Sequence, residues 1–200
     1  VAGSVQERLT NQLLEAGRAV SDNFARQEIR HVEYARIFAF TTGLTDAMLT
    51  EDHETAMGLA EPLFAGLRVE NLILISPQGR EVAHLLLDEQ KNPIRVSGDT
   101  GAGGSLLVAA YLEDRDLEAE PQRALGFNHV DDGTYYYTAI PVASANGRFA
   151  GVIMIGTSIQ SILPVLKSNS LADVVIYGGN GQAIGTTLGA ADRTALTAVS

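Results

Sequence analysis

The chain has 200 residues, 46% of them hydrophobic, which is enough to bury a substantial core. With 24 acidic and 14 basic residues the formal charge is −10. This balance argues against nucleic acid and anionic membrane surfaces as partners, because both favour clustered lysine and arginine. The lack of cysteine excludes a disulfide scaffold and thiolate metal sites. No stretch reaches the roughly 18 apolar residues of a membrane span, and no signal peptide is present, so we expect any membrane tether to lie outside this sequence.

The first forty residues predict one long helix, from residue 5 to about residue 40. Apolar residues recur there at steps of three and four, with a slight shift of face from Ile29 onward. About thirty-five helical residues span roughly 50 Å, which is more than a compact domain of this size needs. The alternative is an ordinary helix that is broken near Gly17 or near Asp22.

Two shorter helices are predicted next. Residues 44 to 49 form a short helical turn, and Thr50 is expected to cap a second helix over residues 51 to 67, whose first turn is rich in acidic residues. Pro62 lies inside that second helix and is expected to kink or split it.

Strand and loop signals follow. Residues 71 to 75 and 80 to 87 are apolar runs that flank a Ser-Pro-Gln-Gly turn, and they predict a hairpin. Residues 88 to 104 are polar and glycine-rich, so a loop is expected. Residues 105 to 112 suit either a helix capped by Ser105 or a buried strand, and we favour the helix. The acidic stretch from 113 to 132 predicts an exposed excursion that is long enough to be functional.

The strongest strand signal lies between residues 134 and 157. Aromatic and β-branched residues there flank a polar break that contains Asn146-Gly147. Both residues of this dipeptide tolerate positive φ, which a primed hairpin turn requires. The apolar run from Phe149 to Ile155 predicts a central strand covered on both faces. A helix over residues 158 to 166 follows.

The segment Val174–Gly185 repeats the form of the segment Leu72–Ala83, at an offset of 102 residues. Each has four apolar residues, a turn that ends in glycine, and a polar residue that opens a second strand. An internal repeat at this spacing predicts two similar units in tandem, the second only begun here. The alternative is that residues 172 to 186 complete the first sheet.

This order of elements resembles the double-Cache family of bacterial extracytoplasmic sensor domains. The segments that carry the resemblance are Asn71–Arg80, Tyr137–Val142, Gly147–Gly156 and Ala172–Thr186. The resemblance implies an α+β fold in which a long N-terminal helix runs beside a PAS-like antiparallel sheet flanked by helices and loops. It also implies a long signalling helix over residues 1–40, a membrane-distal Cache domain over 41–171, and an incomplete membrane-proximal unit over 172–200.

The function implied by the resemblance is non-enzymatic ligand sensing. The domain would lie on the periplasmic or extracellular side of a bacterial membrane receptor of the histidine kinase, cyclase or chemoreceptor type. It would bind an unidentified small molecule without a cofactor and transmit the change through the long helix, since packed helices pass on small shifts as rigid bodies. A paired helix would transmit best, so we expect a homodimer. The alternatives are a ligand-free dimerisation or periplasmic-protein docking module of the same fold, and an enzyme or cytosolic PAS-type regulator.

Candidate ligand-binding residues surround the tyrosine-rich strand. Strand alternation places Tyr136 on one face and Tyr135 and Tyr137 on the other. Whichever face lies under the long loop offers phenol hydroxyls over an apolar floor, which can orient a small ligand, and we favour Tyr135 and Tyr137. We add Tyr111 and Asp131 to this predicted pocket, with aromatic packing and a solvated acidic loop as the structural alternatives. The resemblance makes an amino-acid ligand unlikely, because the sequence has no Trp and Gly156 stands where amino-acid-binding members carry an aspartate.

No catalytic or metal-binding residues are predicted. The four histidines are scattered without ligand spacing; they are His31, His53, His84 and His129. The glycine-rich segment from 98 to 105 has no following Lys-Ser/Thr and therefore predicts a flexible loop rather than a phosphate-binding one.

Overall fold

The computed structural model describes residues 2–170, 172–179 and 181–188. It has the predicted α+β class, with a long N-terminal helix and a six-stranded antiparallel sheet. The helices are α1 (Ala2–Ala39), α2 (Leu44–Thr50), α3 (His53–Leu67), α4 (Leu106–Asp114) and α5 (Ile159–Ser170), with a short 3-10 turn, η1 (Ala102–Gly104). The strands are β1 (Asn71–Ile75), β2 (Glu81–Leu87), β3 (Pro93–Arg95), β4 (Gln122–Asn128), β5 (Gly133–Ala143), β6 (Phe149–Ser158), β7 (Val175–Tyr177) and β8 (Ala183–Thr186).

The chain divides into two compact units. One comprises Glu28–Ser158 and holds the six-stranded sheet; the other comprises Val1–Gln27 together with Ile159–Ser200 and holds β7 and β8. The division into a signalling helix, a distal domain and a begun proximal unit stays a prediction. Within the described residues, no helix combines the length and the apolar character that a membrane crossing requires.

Helix α1 is continuous from Ala2 to Ala39, so the predicted long helix is confirmed and the break near Gly17 or Asp22 is not observed. In its last turns, His31, Ala35 and Phe38 are almost fully buried. They recur at steps of four and three, which places them on one helical face against the sheet.

The second helix begins two residues later than predicted. Glu51 has a left-handed φ of 55°, which interrupts the helix after α2. Asp52, not Thr50, is the N-cap, and its carboxylate accepts the N–H of Thr55 at 3.1 Å. The helix then continues through Pro62, which does not split it.

The main sheet has the strand order β3-β2-β1-β6-β5-β4, and every neighbouring pair is antiparallel. The prediction that residues 149 to 155 form a central strand is confirmed, because β6 lies between β1 and β5. One face of the sheet packs against the helices α1 to α3, and the other contacts α4. Residues 150 to 155 are buried, as a strand covered on both faces must be.

Two predicted loops contain regular structure. The expected loop from 88 to 104 includes β3 and η1, and the expected excursion from 113 to 132 includes the edge strand β4. The sequence of β4 lacks a run of β-branched residues, and most of the strand is exposed. Its conformation depends on pairing with β5 over seven residues rather than on local propensity.

The central hairpin turn differs from the predicted primed turn. Gly147 has a φ of 72°, but Asn146 is not among the residues with positive φ. The Ser144 carbonyl accepts the N–H of Gly147 at 2.9 Å, and the Ser144 N–H donates to the Arg148 carbonyl at 2.8 Å. This pattern is that of a turn followed by a glycine bulge, which needs only one residue with positive φ.

The internal repeat is visible in hydrogen bonding. The β1–β2 pairing Ile75↔Glu81 has its counterpart in Tyr177↔Ala183 of β7–β8, at the same offset of 102 residues, and each hairpin has a register shift at this pair. The turn bond from the Gly79 N–H to Ser76 likewise recurs in the second hairpin, between Gly181 and Gly178. In the described part of the chain β7 and β8 form their own sheet, so they do not complete the first one.

Candidate functional site

A cavity of about 260 Å³ lies on the face of the main sheet that contacts α4. Its walls come from β1, β2, β4, β5 and β6, from residues 100 to 102, and from the beginning of α4. Apolar side chains such as Ile73 and Met154 line the cavity together with several polar residues, two of which are the histidines His84 and His129. None of the residues that line it is Asp, Glu, Lys or Arg.

Tyr137 is buried and lines this cavity. Two glycines on the neighbouring strands make room for its ring: Gly156 on β6 and Gly126 on β4. Its hydroxyl accepts the Nδ2–H of Asn71 at 3.1 Å. Burial raises the pKa of this phenol, so it remains a neutral hydroxyl.

Residues 100 to 102 form one wall of the cavity, and hydrogen bonds to Glu81 hold this wall against β2. Its Oε1 accepts the N–H of Thr100 at 3.0 Å, the Thr100 hydroxyl at 2.7 Å and the N–H of Ala102 at 2.9 Å. Its Oε2 lies 3.3 Å from Nδ1 of His84. Burial by itself would raise the pKa of Glu81, but the hydrogen bonds from His84, Thr100 and Ala102 outweigh it and lower this pKa to about 2. The carboxylate is therefore ionised and fully engaged.

Buried polar atoms without partners converge on the cavity. Among the described residues, four such side-chain atoms lack a hydrogen bond; they are Asn71 Oδ1, His84 Nε2, Ser105 Oγ and Asn128 Nδ2. Three of them, on His84, Ser105 and Asn128, belong to residues that line the cavity. A buried polar atom without a partner costs about 1–3 kcal/mol. A bound molecule with matching polar groups would remove that cost.

The four residues predicted to bind ligand do not all lie together. Tyr137 lines the cavity. Tyr135 stacks on it, with ring centroids 5.7 Å apart, and donates its hydroxyl to Asp131 Oδ2 at 2.5 Å. Neither Tyr135 nor Asp131 lines the cavity. Tyr111 belongs to the same buried cluster as Tyr135 and Tyr137 but does not line the cavity. Its hydroxyl donates to the carbonyl of Glu120 at 2.6 Å. Ligand binding by these residues stays a prediction.

Sequence reasoning missed His84, Ser105 and Asn128. His84 left a signal, because it is the one polar residue between Val82 and Leu87 in an otherwise apolar strand. Ser105 is the predicted N-cap by position, but its side chain makes no cap hydrogen bond. Asn128 left no signal, because its place next to the cavity follows from the pairing of β4 with β5.

On the opposite face of the same strands, His31 of α1 contacts both β5 and β6. Its Nδ1 lies 3.0 Å from the Thr138 hydroxyl and its Nε2 2.8 Å from the Thr157 hydroxyl. Burial, reinforced by nearby Arg30, lowers the pKa of His31 to about 3. The imidazole is therefore neutral near pH 7, and it joins the helix to the strands through hydrogen bonds rather than charge.

These contacts lie directly behind the cavity. Thr138 follows Tyr137 in β5, and Thr157 follows Gly156 in β6, while Tyr137 and Gly156 pair across the two strands. Because neighbouring residues of a strand point to opposite faces, the cavity and α1 are held by adjacent residues of the same two strands.

No group of three or more His, Asp or Glu side chains within the described residues is placed to hold a metal ion. The cavity, with polar atoms over an apolar floor, has the composition of a small-molecule site.

The sequence matches no family model and no curated protein. Its structure is similar to the ligand-binding domain of the Campylobacter jejuni chemoreceptor Tlp3 in complex with L-valine, with a TM-score of 0.71 and 12% identity over 100% of this chain and 76% of that one. It is also similar to the sensor domain of the Vibrio cholerae histidine kinase DctB, with a TM-score of 0.69 and 14% identity over 91% of this chain and 68% of that one.

A third similar structure is the extracellular domain of the putative histidine kinase vpHK1S-Z8, with a TM-score of 0.56 and 9% identity over 82% of this chain and 60% of that one. These structures are sensory domains rather than enzymes. At such low identities they show the fold alone, and at that level the predicted resemblance is confirmed. The chain has the fold of the sensory domains of bacterial chemoreceptors and histidine kinases.

Proposed function

We propose that this chain is an extracytoplasmic ligand-sensing domain of a bacterial receptor, of the double-Cache type. It binds a small molecule in the cavity beside Tyr137 and transmits occupancy to helix α1. The observation that carries this proposal is that three side chains lining one cavity, His84, Ser105 and Asn128, each have a buried polar atom without a hydrogen-bond partner.

The signal would pass from the cavity to α1 because β5 and β6 contact the cavity on one face and His31 of α1 on the other. A ligand that contacts Tyr137 shifts the strand pair that also holds His31 through Thr138 and Thr157. The floor of the cavity is close-packed, since Tyr137 fills the space over Gly156. Packed interfaces respond to such shifts by moving between discrete arrangements rather than by deforming continuously.

The surroundings of the domain are part of the same proposal. The similar structures are sensory parts of receptors, which supports a periplasmic or extracellular location and a tether outside this sequence. We further propose a homodimer in which the helices α1 pair. Exposed apolar side chains on α1, among them Ile29 and Ile37, offer contacts for that pairing.

Ligand binding can be tested with the chain itself and a bacterial metabolite extract. Ligand-observed NMR would detect components that bind, and Ala102→Phe would fill the cavity, since Ala102 lines it. Ala110→Phe, on an exposed position of α4, is the matched control. We expect a component that binds the parent chain and the control but not Ala102→Phe. If no component shows this difference, the proposal that this cavity senses a ligand is wrong.

The alternative function is a docking module without a small ligand. A wide groove of about 810 Å³ between the end of α1, residues 117 to 121 and residues 140 to 145 favours it. Phe40, which lines this groove, is 84% exposed. Phe40→Ser would abolish docking of a periplasmic protein but would leave binding of the extract component unchanged, and this difference separates the two functions.

A further inference from the structure

We propose that the cavity selects an uncharged small molecule with hydroxyl or carbonyl groups, in preference to an amino acid or a carboxylate. This inference rests on the proposed function and adds the chemical class of the ligand. It follows from the charges that the cavity lacks and from the hydrogen-bonding atoms that it offers.

The lining provides no countercharge for an ion. None of its residues is Asp, Glu, Lys or Arg. Glu81, behind the wall, already uses Oε1 for Thr100 and Ala102 and Oε2 for His84. The inner end of the cavity, at Tyr137 and Met154, is buried, whereas Phe127 and His129 at its mouth are exposed. A charge placed at the inner end without a partner incurs a desolvation cost of several kcal/mol. The ammonium group of an amino acid therefore has no carboxylate to bind.

Position 156, beneath the Tyr137 ring, has no room for an acidic side chain. A Cβ at Gly156 would lie 2.5 Å from Cε1 of Tyr137. The aromatic ring thus occupies the space that an acidic side chain at position 156 would need, and the floor of the cavity is apolar there.

The buried polar atoms without partners indicate which uncharged ligand groups can bind to them. A carboxylate only accepts hydrogen bonds, so the contact with Glu81 assigns the His84 proton to Nδ1. When the ring carries this one proton, Nε2 presents a lone pair, which suits a ligand hydroxyl as donor. Asn128 lies near the Tyr137 hydroxyl, whose pKa it lowers against the larger effect of burial. Its Nδ2 has no hydrogen bond of good geometry and is a donor that suits a carbonyl or hydroxyl oxygen. The Ser105 hydroxyl serves either role.

Negative charge close to the site disfavours anions. Asp131 accepts a hydrogen bond from Tyr135, whose ring stacks on Tyr137, and Glu81 is buried next to His84. No lysine or arginine lines the cavity to offset these carboxylates. His84 and His129 are the lining groups that could meet a carboxylate if protonated, and the experiment below includes that case.

The volume sets the size of the ligand. About 260 Å³ corresponds to roughly nine water volumes of about 30 Å³ each. A small molecule with a few polar groups and a short apolar part fills this space, and its apolar part would lie on Ile73, Tyr137 and Met154.

The test uses three probes that share one carbon skeleton: L-valine, its hydroxy-acid analogue, and the corresponding uncharged diol. Binding is measured from the amide resonances of His84, Ser105 and Asn128 in the labelled chain. We expect the diol to shift these resonances in a saturable manner and the two charged probes to bind at least about tenfold more weakly, since an unpaired buried charge costs more than the 1.4 kcal/mol that a factor of ten represents.

Asn128→Asp is the matching variant. It keeps the oxygen that accepts the Val130 N–H at 2.9 Å, so the local turn is retained, but it removes the donor and adds a charge. Asn146→Asp, in the exposed hairpin turn, is the control. We expect Asn128→Asp to weaken diol binding about tenfold, the effect of one lost hydrogen bond and an added charge, and the control to leave it unchanged.

Several results would overturn the ligand class. They are binding of L-valine or the hydroxy acid as tight as that of the diol, no shift of cavity resonances by the diol, and unchanged diol binding in Asn128→Asp. A charged extract component that Ala102→Phe excludes would also overturn the class while supporting the proposed function. The proposed function fails separately, when neither the extract nor any probe distinguishes Ala102→Phe from Ala110→Phe.

Discussion

The ring of Tyr137 occupies the space in which any side chain at position 156 would lie. A Cβ built on Gly156 would fall 2.5 Å from Cε1 and 2.8 Å from Cδ1 of that ring, well inside van der Waals contact. The backbone of Gly156 does not require glycine, because its φ is not positive. The requirement for glycine is therefore one of space, set by the aromatic ring at the floor of the cavity.

The first prediction concerns this pair. We expect Gly156→Ala to lower the free energy of unfolding by about 1–3 kcal/mol, the usual cost of overpacking a core. In a Tyr137→Ala background the same change should cost less, because the space over position 156 is then open. Urea unfolding of the two single variants and the double variant measures this coupling. Equal costs of Gly156→Ala in both backgrounds would show that the ring is not the obstacle.

The second prediction concerns the pH dependence of stability. His31 has a folded-state pKa of about 3, below its unfolded value near 6.5. The unfolded chain therefore takes up a proton first as the pH falls. His31 should destabilise the fold progressively between about pH 6.5 and pH 3, by at most about 1.4 kcal/mol per pH unit, and have no effect above this window.

The variant His31→Gln should remove this part of the acid slope, with His129→Gln on an exposed residue as the control. Because Gln retains both a donor and an acceptor, the contacts with Thr138 and Thr157 are partly kept. Unfolding free energies of the three proteins are compared from pH 7 to pH 4. If the acid slope of His31→Gln equals that of the parent chain, His31 is not buried as described.

The third prediction concerns the wall of the cavity. Glu81→Gln replaces one acceptor oxygen by an amide donor, which conflicts with the hydrogen bonds that the wall donates. We expect a loss of about 1–3 kcal/mol and faster hydrogen exchange at the amides of Thr100 and Ala102, both of which donate to Glu81. Asp99→Asn, an exposed neighbour, should leave the exchange of Ala102 unchanged. Unaltered exchange in Glu81→Gln would mean that the carboxylate does not hold the wall.

The ionisation of Glu81 also makes the stability of the wall formed by residues 100 to 102 depend on pH. Its folded-state pKa of about 2 lies below the ordinary value of 4.5 for a glutamate, so its stabilising effect is complete above about pH 4.5 and is lost as the pH falls towards 2. Exchange at Thr100 should accelerate over this range in the parent chain, beyond the intrinsic pH effect, but not in Glu81→Gln.

The fourth prediction separates two stacked tyrosines. Tyr137 lines the cavity, whereas Tyr135 lies behind it and donates to Asp131. We expect Tyr137→Ala to weaken diol binding about tenfold or more, because it removes the floor of the site. Tyr135→Ala should change binding by less than about threefold. Circular dichroism confirms folding of each variant, and equal effects on binding would contradict the assignment of the floor.

Much of the fold could be predicted because its signals are local. The long helix α1 follows from apolar periodicity, the central strand from the run Phe149 to Ile155, and the repeated hairpin from its glycine turn. The missed elements depend on partners distant in the sequence. Strand β4 lacks strand propensity and is formed by pairing with β5, and the helix start at Asp52 depends on a left-handed Glu51 that no sequence rule required.

The site was harder to predict for the same reason. Tyr137 stood out as part of an aromatic run, but its neighbours in the cavity come from four other strands and a helix start. His84 lies 53 residues after His31 in the sequence, and nothing in that spacing shows that the two histidines lie on opposite faces of one sheet. The strand order brings these distant residues together, and patterns of residues along the sequence carry no information about that order.

The most direct test of sensing and transmission uses the four histidines as reporters in a chain labelled with ¹⁵N only at histidine. His84 and His129 line the cavity, His31 lies on α1 behind it, and His53, bonded to the Val82 carbonyl at 2.9 Å, lies outside the cavity. During titration with the diol, or with the component recovered from the extract, we expect the imidazole resonances of His84 and His31 to shift with one common saturation curve while His53 stays unchanged. A shift of His84 without any change at His31 would contradict transmission from the cavity to the helix.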